Sequence, residues 1–345
     1  MSNVEAPAKF ATARDWRQAL TIYHDPIHRQ SLFEIAVTLV PFIVLWVAMW
    51  WTMQWSYLLS IPICVLAAGF LVRLFMIQHD CGHGAFFRQR QTNDWTGRAI
   101  GILTLTPYDD WRRSHATHHA TSGNLDRRGI GDITTLTVNE YLALPLLGRI
   151  RYRLYRNPIV MFLIGPAYLF LIQHRFPATT TMTDWRAWIS PMLTNAAIVL
   201  LALPIIWLVG LSSFLMVQIP IIVVASSIGV WLFYVQHQFE TTTWAKNDEW
   251  SVHEAALHGS SHYDLPPLVR WLTANIGVHH VHHLSSRIPY YRLSQVLEDH
   301  PELKSLGRVT FLESLACVRL TLWDEARHKL ISFRQLRAMS EASAA

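Results

Sequence analysis

Apolar residues in this chain are gathered into long blocks separated by polar stretches. Phe33–Trp51 (FEIAVTLVPFIVLWVAMWW) is almost unbroken apolar sequence, and after the short TMQW comes a second block, Ser56–Gln78. Each is long enough for a helix to cross about 30 Å of hydrocarbon, and the short joint predicts a helical hairpin. Trp50, Trp51 and Trp55 fall at that joint, where an interfacial aromatic belt is expected. Ile189–Gly210 and Ser213–Val235 repeat the pattern around the uncharged GLSS turn at Gly210–Ser213. A further run, Ile159–Ile172, is shorter and interrupted by Gly165-Pro166, while Gly101–Tyr108 is too short to cross.

Parity decides how many runs cross. If Ile159–Ile172 spanned, the polar region holding HDCGH (His79–His83) and HATHH (His115–His119) would lie opposite the region holding HHVHH (His279–His283). That run is preceded by Arg149, Arg151, Arg153 and Arg156 and followed by Arg175 and Arg186. Positive residues at both ends place both ends on the cytoplasmic side, so the run is expected to be re-entrant or interfacial. The predicted fold class is an all-α integral membrane protein, one domain over 1–345. It has a cytoplasmic N-terminal segment (1–30), transmembrane hairpins at 31–78 and 189–235, and the re-entrant or interfacial segment at 158–174. A cytoplasmic helical cap (79–157 and 236–345) carries the histidine clusters. Phe311–Phe333 mixes apolar and charged residues and is expected to form amphipathic helices on the membrane surface.

Composition agrees. The chain is 51% hydrophobic and only 15% charged, where about 25% charged is usual for soluble domains. The net charge of +5 comes with arginines beside the apolar runs, which reads as membrane orientation and not as nucleic-acid binding. Cys64, Cys81 and Cys317 form no C-x-x-C pair, so neither a disulfide framework nor a thiolate metal site is expected. MSNVEAPAKFATARDW has no apolar h-region, so no cleavage is expected.

The chemistry lies in the histidines. His79 and His83 are spaced i, i+4, one face of a helix if the second span continues. HATHH places His115, His118 and His119 at i, i+3 and i+4, and HHVHH contains the same spacing as His279, His282 and His283. Two H-x-x-H-H runs and an H-x-x-x-H emerging on one side of a membrane point to metal. Eight imidazoles exceed one ion's capacity and suit two ions with four or five ligands each. Imidazole alone does not name the metal among iron, copper, zinc and nickel. Helix geometry alone also leaves His280 open, since His279, His280 and His283 share an arc as wide as His279, His282 and His283 do.

HDCGH, HATHH and HHVHH, in this order and separated by apolar spans, resemble the three histidine boxes of membrane fatty acid desaturases. HATHHATSGNLDRRGIGDI, FYVQHQFETTTW, HGSSHYDLP and NIGVHHVHHLSSRIPYYRL extend the resemblance over about residues 30–335, toward the bacterial acyl-lipid branch. The resemblance implies a non-haem centre of two iron ions with O2 as co-substrate. It also implies a ninth ligand after the last span, which QHQFE supplies as His237. The implied ligand set is His79, His83, His115, His118, His119, His237, His279, His282 and His283. His280 then falls outside it, as an outer or surface residue. The implied reaction is formation of a cis double bond in the acyl chain of a membrane lipid or acyl thioester. The implied location is the cytoplasmic face of a bacterial inner membrane. No nucleotide fingerprint, four-cysteine spacing or fused cytochrome domain is visible, so a separate ferredoxin-, rubredoxin- or cytochrome-like donor is expected. Arg127, Arg128, Arg151 and Arg153 could dock it or simply orient the chain. The oligomeric state is left open.

Asp80, Asp132 and Glu240 could orient ligand imidazoles or be ordinary charges. His253, His258 and His262 read as surface or hydrogen-bonding residues, Asn275 as a helix-terminus partner or a water ligand. His24, His28, His174, His300 and His328 look ordinary. Three other functions stay open: a related hydroxylase, which would yield an alcohol; a zinc hydrolase, which would need neither O2 nor reductant; and a metal transporter, which would carry ionisable residues within its spans.

Overall fold

The computed structural model describes residues 12–177 and 184–344; most of the stretch read as lacking a signal sequence lies outside the described residues. A short helix α1 (Ala13–Ala19) leads into α2 (His28–Thr52) and α3 (Tyr57–His83). Next come α4 (Arg90–Leu103), α5 (Tyr108–Thr121), α6 (Val138–Ala143) and α7 (Leu146–Tyr155). A π-helical turn, Val160–Ile164, runs into α8 (Gly165–Leu171), and α9 (Ile189–Val209) and α10 (Leu211–His237) form the second long hairpin. The rest forms α11 (Val252–His258), α12 (Pro267–Leu272), α13 (His279–Leu284), α14 (Tyr290–Asp299), α15 (Phe311–Cys317) and α16 (Phe333–Ala344).

Among the described residues four helical stretches are long and apolar enough to cross a membrane: His28–Thr52, Tyr57–His83, Trp185–Val209 and Leu211–His237. This is the all-α membrane fold the apolar blocks predict. Each stretch holds an internal proline (Pro41, Pro62, Pro204, Pro220), which transmembrane helices tolerate because neighbours re-satisfy the freed carbonyl. Helix α3 is central and packs on α2, α4 and α10. Half of its most apolar window is buried (50%), against 0% for that of the Trp185–Val209 stretch. Helices α3 and α10 both run past the end of their apolar block, to His83 and His237. The two most enclosed of the four spanning helices therefore deliver histidines to the same side.

The apolar run after the arginine stretch is bent by 59° between Leu146–Tyr155 and Val160–Arg175. Both its ends are tied to the histidine-bearing side. Arg156 donates to Gln238, one residue beyond His237, at 3.2 Å, and Arg175 donates to the carbonyl of Leu105 in the turn before α5.

Two small sheets brace the cap. Leu136–Thr137 pairs in parallel with Leu322–Asp324, which pairs antiparallel with Lys329–Ile331; His262–Asp264 pairs in parallel with Arg308–Thr310. The first sheet corrects the expectation of helix throughout Phe311–Phe333. Only Phe311–Cys317 is helical, and the remainder is a hairpin turning at His328 in the left-handed region (φ 49°). The reason is burial: Leu322, Trp323, Leu330 and Ile331 are all enclosed, and a strand buried on both faces can hide consecutive apolar residues where a surface helix cannot.

A buried polar network links the first hairpin to the cap. Arg73 of α3 pairs with Glu34 of α2, donates to Thr38 at 3.1 Å and reaches the carbonyl of Trp271. Its guanidinium lies 4.2 Å from the Trp271 ring, and the Tyr290 hydroxyl donates to Glu34 at 3.0 Å. Sequence reading passed over this pair of opposite charges, one in each span of the hairpin. Arg73→Met leaves Glu34 buried without its partner and is expected to cost about 3–5 kcal/mol, seen as a lower thermal midpoint in detergent. Adding Glu34→Gln should restore much of the loss; a double variant no more stable than Arg73→Met would show that the two charges are not coupled.

Candidate metal centre

Helix α3 ends just after HDCGH because Gly84 takes a left-handed C-cap (φ 67°), leaving His79 and His83 on one face of its last turn. Helix α5 starts after Pro107 and carries HATHH; α10 ends at His237; and α13 carries HHVHH. These four helix segments bring all nine histidines of the implied set together. His79, His83, His115, His119 and His282 form one group, and His118, His237, His279 and His283 a second. Within each group one ring nitrogen per residue lies within 4.8 Å of the others. The ε-nitrogens of His83 and His115, of His115 and His119, and of His119 and His282 are each 3.1 Å apart, and those of His237 and His279 are 3.0 Å apart.

The split follows from helical pitch. At about 100° per residue, i+4 falls about 40° to one side of residue i and i+3 about 60° to the other. His115 and His119 accordingly join one group while His118 turns to the second. In the third box His279 and His283 share the second group and His282 turns to the first. Each H-x-x-H-H run thus bridges both groups, which sit side by side: His119 and His283 stack with centroids 4.0 Å apart.

Two carboxylates set tautomers. Asp80 accepts from Nδ1 of His79 (3.1 Å) and Asp132 from Nδ1 of His118, leaving each Nε2 as a bare lone pair. The other oxygen of Asp80 accepts the backbone N–H of Tyr290 at 2.7 Å, tying the first box to the chain just beyond the third. Burial, reinforced by the neighbouring imidazoles, holds His115, His119, His279, His282 and His283 well below the ordinary histidine range. They are therefore neutral at pH 7 and able to ligate. Nε2 of His118 and of His283 is buried with no hydrogen-bond partner. Neutral imidazoles with converging lone pairs and orphaned buried nitrogens suit an all-nitrogen site for iron, zinc or copper.

His280 points away. It is fully buried, neither at the centre nor on the surface, and its Nε2 donates to the carbonyl of Leu303 at 3.0 Å. Burial pushes its pKa down to about 3. Beside it His262 is buried and donates to the Lys304 carbonyl at 2.7 Å, a hydrogen-bonding role as expected. His253 contacts Arg17, and His258 contacts Glu254. Glu240 is exposed. Asn275, with φ 55°, donates to the Tyr290 carbonyl in the first turn of α14 and accepts from Ser294. His24 meets the Ser285 hydroxyl at 2.6 Å, His28 packs near Phe87, His300 near Trp16, and His328 is exposed. His174, read as ordinary, instead lines the cavity beside the centre.

That cavity has a volume of about 560 Å3 and lies between α3, α5, α10 and the bent segment. His79, His115 and His279 open onto it, while Leu71, Phe75 and Phe170 form part of its apolar wall. The model of the fatty acid desaturase family matches residues 55–310. The chain belongs to that family. It is 47% identical over 315 residues to a fatty acid desaturase of Bacillus subtilis, covering 91% of this chain and 89% of the relative. It is 29% identical over 294 residues (78% and 75%) to an sn-1 acyl-lipid omega-3 desaturase (ferredoxin) of Nostoc sp.. It is 26% identical over 240 residues (65% and 63%) to an sn-1 oleoyl-lipid 12-desaturase of Synechocystis sp..

As a fatty acid desaturase, the chain is an oxidoreductase whose buried histidines are able to hold metal. His118→Ala and His282→Ala are each expected to lower the metal content measured by elemental analysis, one from each group, whereas His280→Ala should keep the full complement. Asp132→Asn is expected to weaken metal affinity about 10–100-fold in a chelator competition; unchanged affinity would separate Asp132 from the centre.

Proposed function

We propose that this desaturase introduces a cis double bond into the acyl chain of a membrane lipid, using O2, a two-iron centre held by the nine histidines, and electrons from a separate protein. The observation that carries this reading is the opening of both histidine groups, through His79 and His115 of one and His279 of the other, onto a single apolar cavity. Activating O2 and removing hydrogen atoms from unactivated methylenes is the chemistry an iron pair supplies when bound; such C–H bonds are too weakly acidic for a side-chain base.

The protein's own residues do the rest. Asp80 and Asp132 hold His79 and His118 with Nε2 facing inward. Trp111 stacks on His115 with ring centroids 4.6 Å apart and forms part of the cavity wall, which keeps that imidazole in place and water away. The apolar wall accepts a hydrocarbon chain and fixes which carbons lie beside the histidines.

The named acyl-lipid relatives favour a lipid-linked chain over a thioester. One relative's name includes ferredoxin, which supports a ferredoxin-like donor. Two of the arginines considered for docking are already engaged, Arg128 with Glu140 and Arg153 with the Tyr141 hydroxyl at 2.8 Å. This leaves Arg127 and Arg151 as exposed cations on that side. We place the histidine side, both termini and both ends of the bent segment on the cytoplasmic face of a bacterial inner membrane, with four spans and a re-entrant segment. The arginines around Ile159–Ile172 and the ties of Arg156 and Arg175 to the histidine side support this.

Expression in a host lacking the corresponding unsaturated lipids, followed by mass spectrometry that locates double bonds, tests the reaction. New unsaturated acyl chains are expected only with O2 present, and none from His118→Ala or His282→Ala. An alcohol without a new double bond would replace desaturation by hydroxylation, and full activity in either variant would remove that residue from the centre.

A further inference from the structure

Helix α10 passes along the cavity and presents Ile222, Ala225, Ser226, Gly229 and Phe233 to it. Gly229 stands out among the helical glycines. A glycine inside a helix is disfavoured relative to alanine and usually persists where another group needs the space. Gly69 has that reason, since a Cβ there would lie 2.5 Å from Leu272 Cδ2, and so does Gly97, where it would lie 2.2 Å from the Tyr108 ring. A Cβ at Gly229 would meet nothing within 4 Å. What it would meet is the cavity.

Gly229 precedes His237 by eight residues, about 12 Å along the helix axis, so it borders the part of the cavity farther from the histidines. A charged or polar carrier cannot enter that region without losing its hydration. The methyl end of an acyl chain can. We infer that Gly229 is a specificity-determining residue: its missing side chain keeps open the space for the methyl-terminal part of the acyl chain and so sets the longest chain the enzyme accepts. This rests on the reading of the cavity as the acyl site. Nothing in helix packing needs glycine here, so a larger residue should narrow the cavity without disturbing α10.

The test uses the full-length protein in membranes or detergent, supplied with lipids carrying a long saturated chain or one shorter by several methylenes. Gly229→Phe is expected to lower conversion of the long chain by about tenfold or more relative to the short one, with metal content and elution volume unchanged. Gly229→Ala should keep the wild-type ratio. Gly229→Leu gives the same reading with a smaller side chain should the Phe variant fold poorly. An unchanged ratio, or an equal loss for both lengths in a metal-replete variant, would overturn the inference. If the wild-type protein forms an alcohol, desaturation fails as the reaction, and the chain-length ratio still judges Gly229.

Discussion

Nine imidazoles held in van der Waals contact, with their ring nitrogens converging, are the constraint on which the rest of this structure depends. Bare acceptors facing one another repel, and each buried nitrogen without a donor carries a desolvation cost. A cation at the centre of each group reverses both effects. Without one, the scaffold must hold the rings against their preference. It does so from outside: Asp80 and Asp132 fix two rings, and Trp111 stacks on a third. His237 contacts the Gly259 carbonyl at 3.3 Å.

The two spanning helices that carry rings are also the most enclosed of the four. Helix α3 brings His79 and His83, and α10 brings His237, from the interior of the apolar bundle to its edge. The third box has no such anchor, since α13 spans only His279–Leu284. Its position is set by the network below it. Arg73 holds the Trp271 carbonyl on one side of the box, and Glu34 accepts from Tyr290 on the other. Asp80 joins the backbone of Tyr290 to the ring of His79. An ion pair buried in an apolar hairpin would be a poor stability device on its own. Here it transmits the position of the first hairpin to histidines some two hundred residues later in the sequence.

Much was legible because membrane insertion and metal ligation both leave strong local marks. Apolar blocks of spanning length gave the two hairpins, and the H-x-x-H-H spacing gave the ligand-bearing faces. Other features were illegible for physical reasons. Asp132 was a candidate to orient an imidazole, but it lies thirteen residues beyond His119 and only the loop that carries it decides that the ring it reaches is His118. The strands of Leu322–Asp324 and Lys329–Ile331 look helical in sequence because the partner that buries them, Leu136–Thr137, is nearly two hundred residues away. His280 is chemically identical to its neighbours, and only the carbonyl of Leu303 distinguishes it.

The resemblance to the desaturases supplied His237 and preferred His282 to His280, while the sequence by itself determined a membrane-spanning helical fold, three histidine clusters on helix faces, and a capacity too large for one metal. These follow from residue type and local spacing, which helical periodicity and hydrophobic length translate directly into geometry. Tertiary structure alone decided the division into five and four, the exclusion of His280, the carboxylates that set the tautomers, and the cavity that meets the histidines. Each depends on where distant helices cross, and that is set by packing and buried polar pairing between segments that share no local pattern.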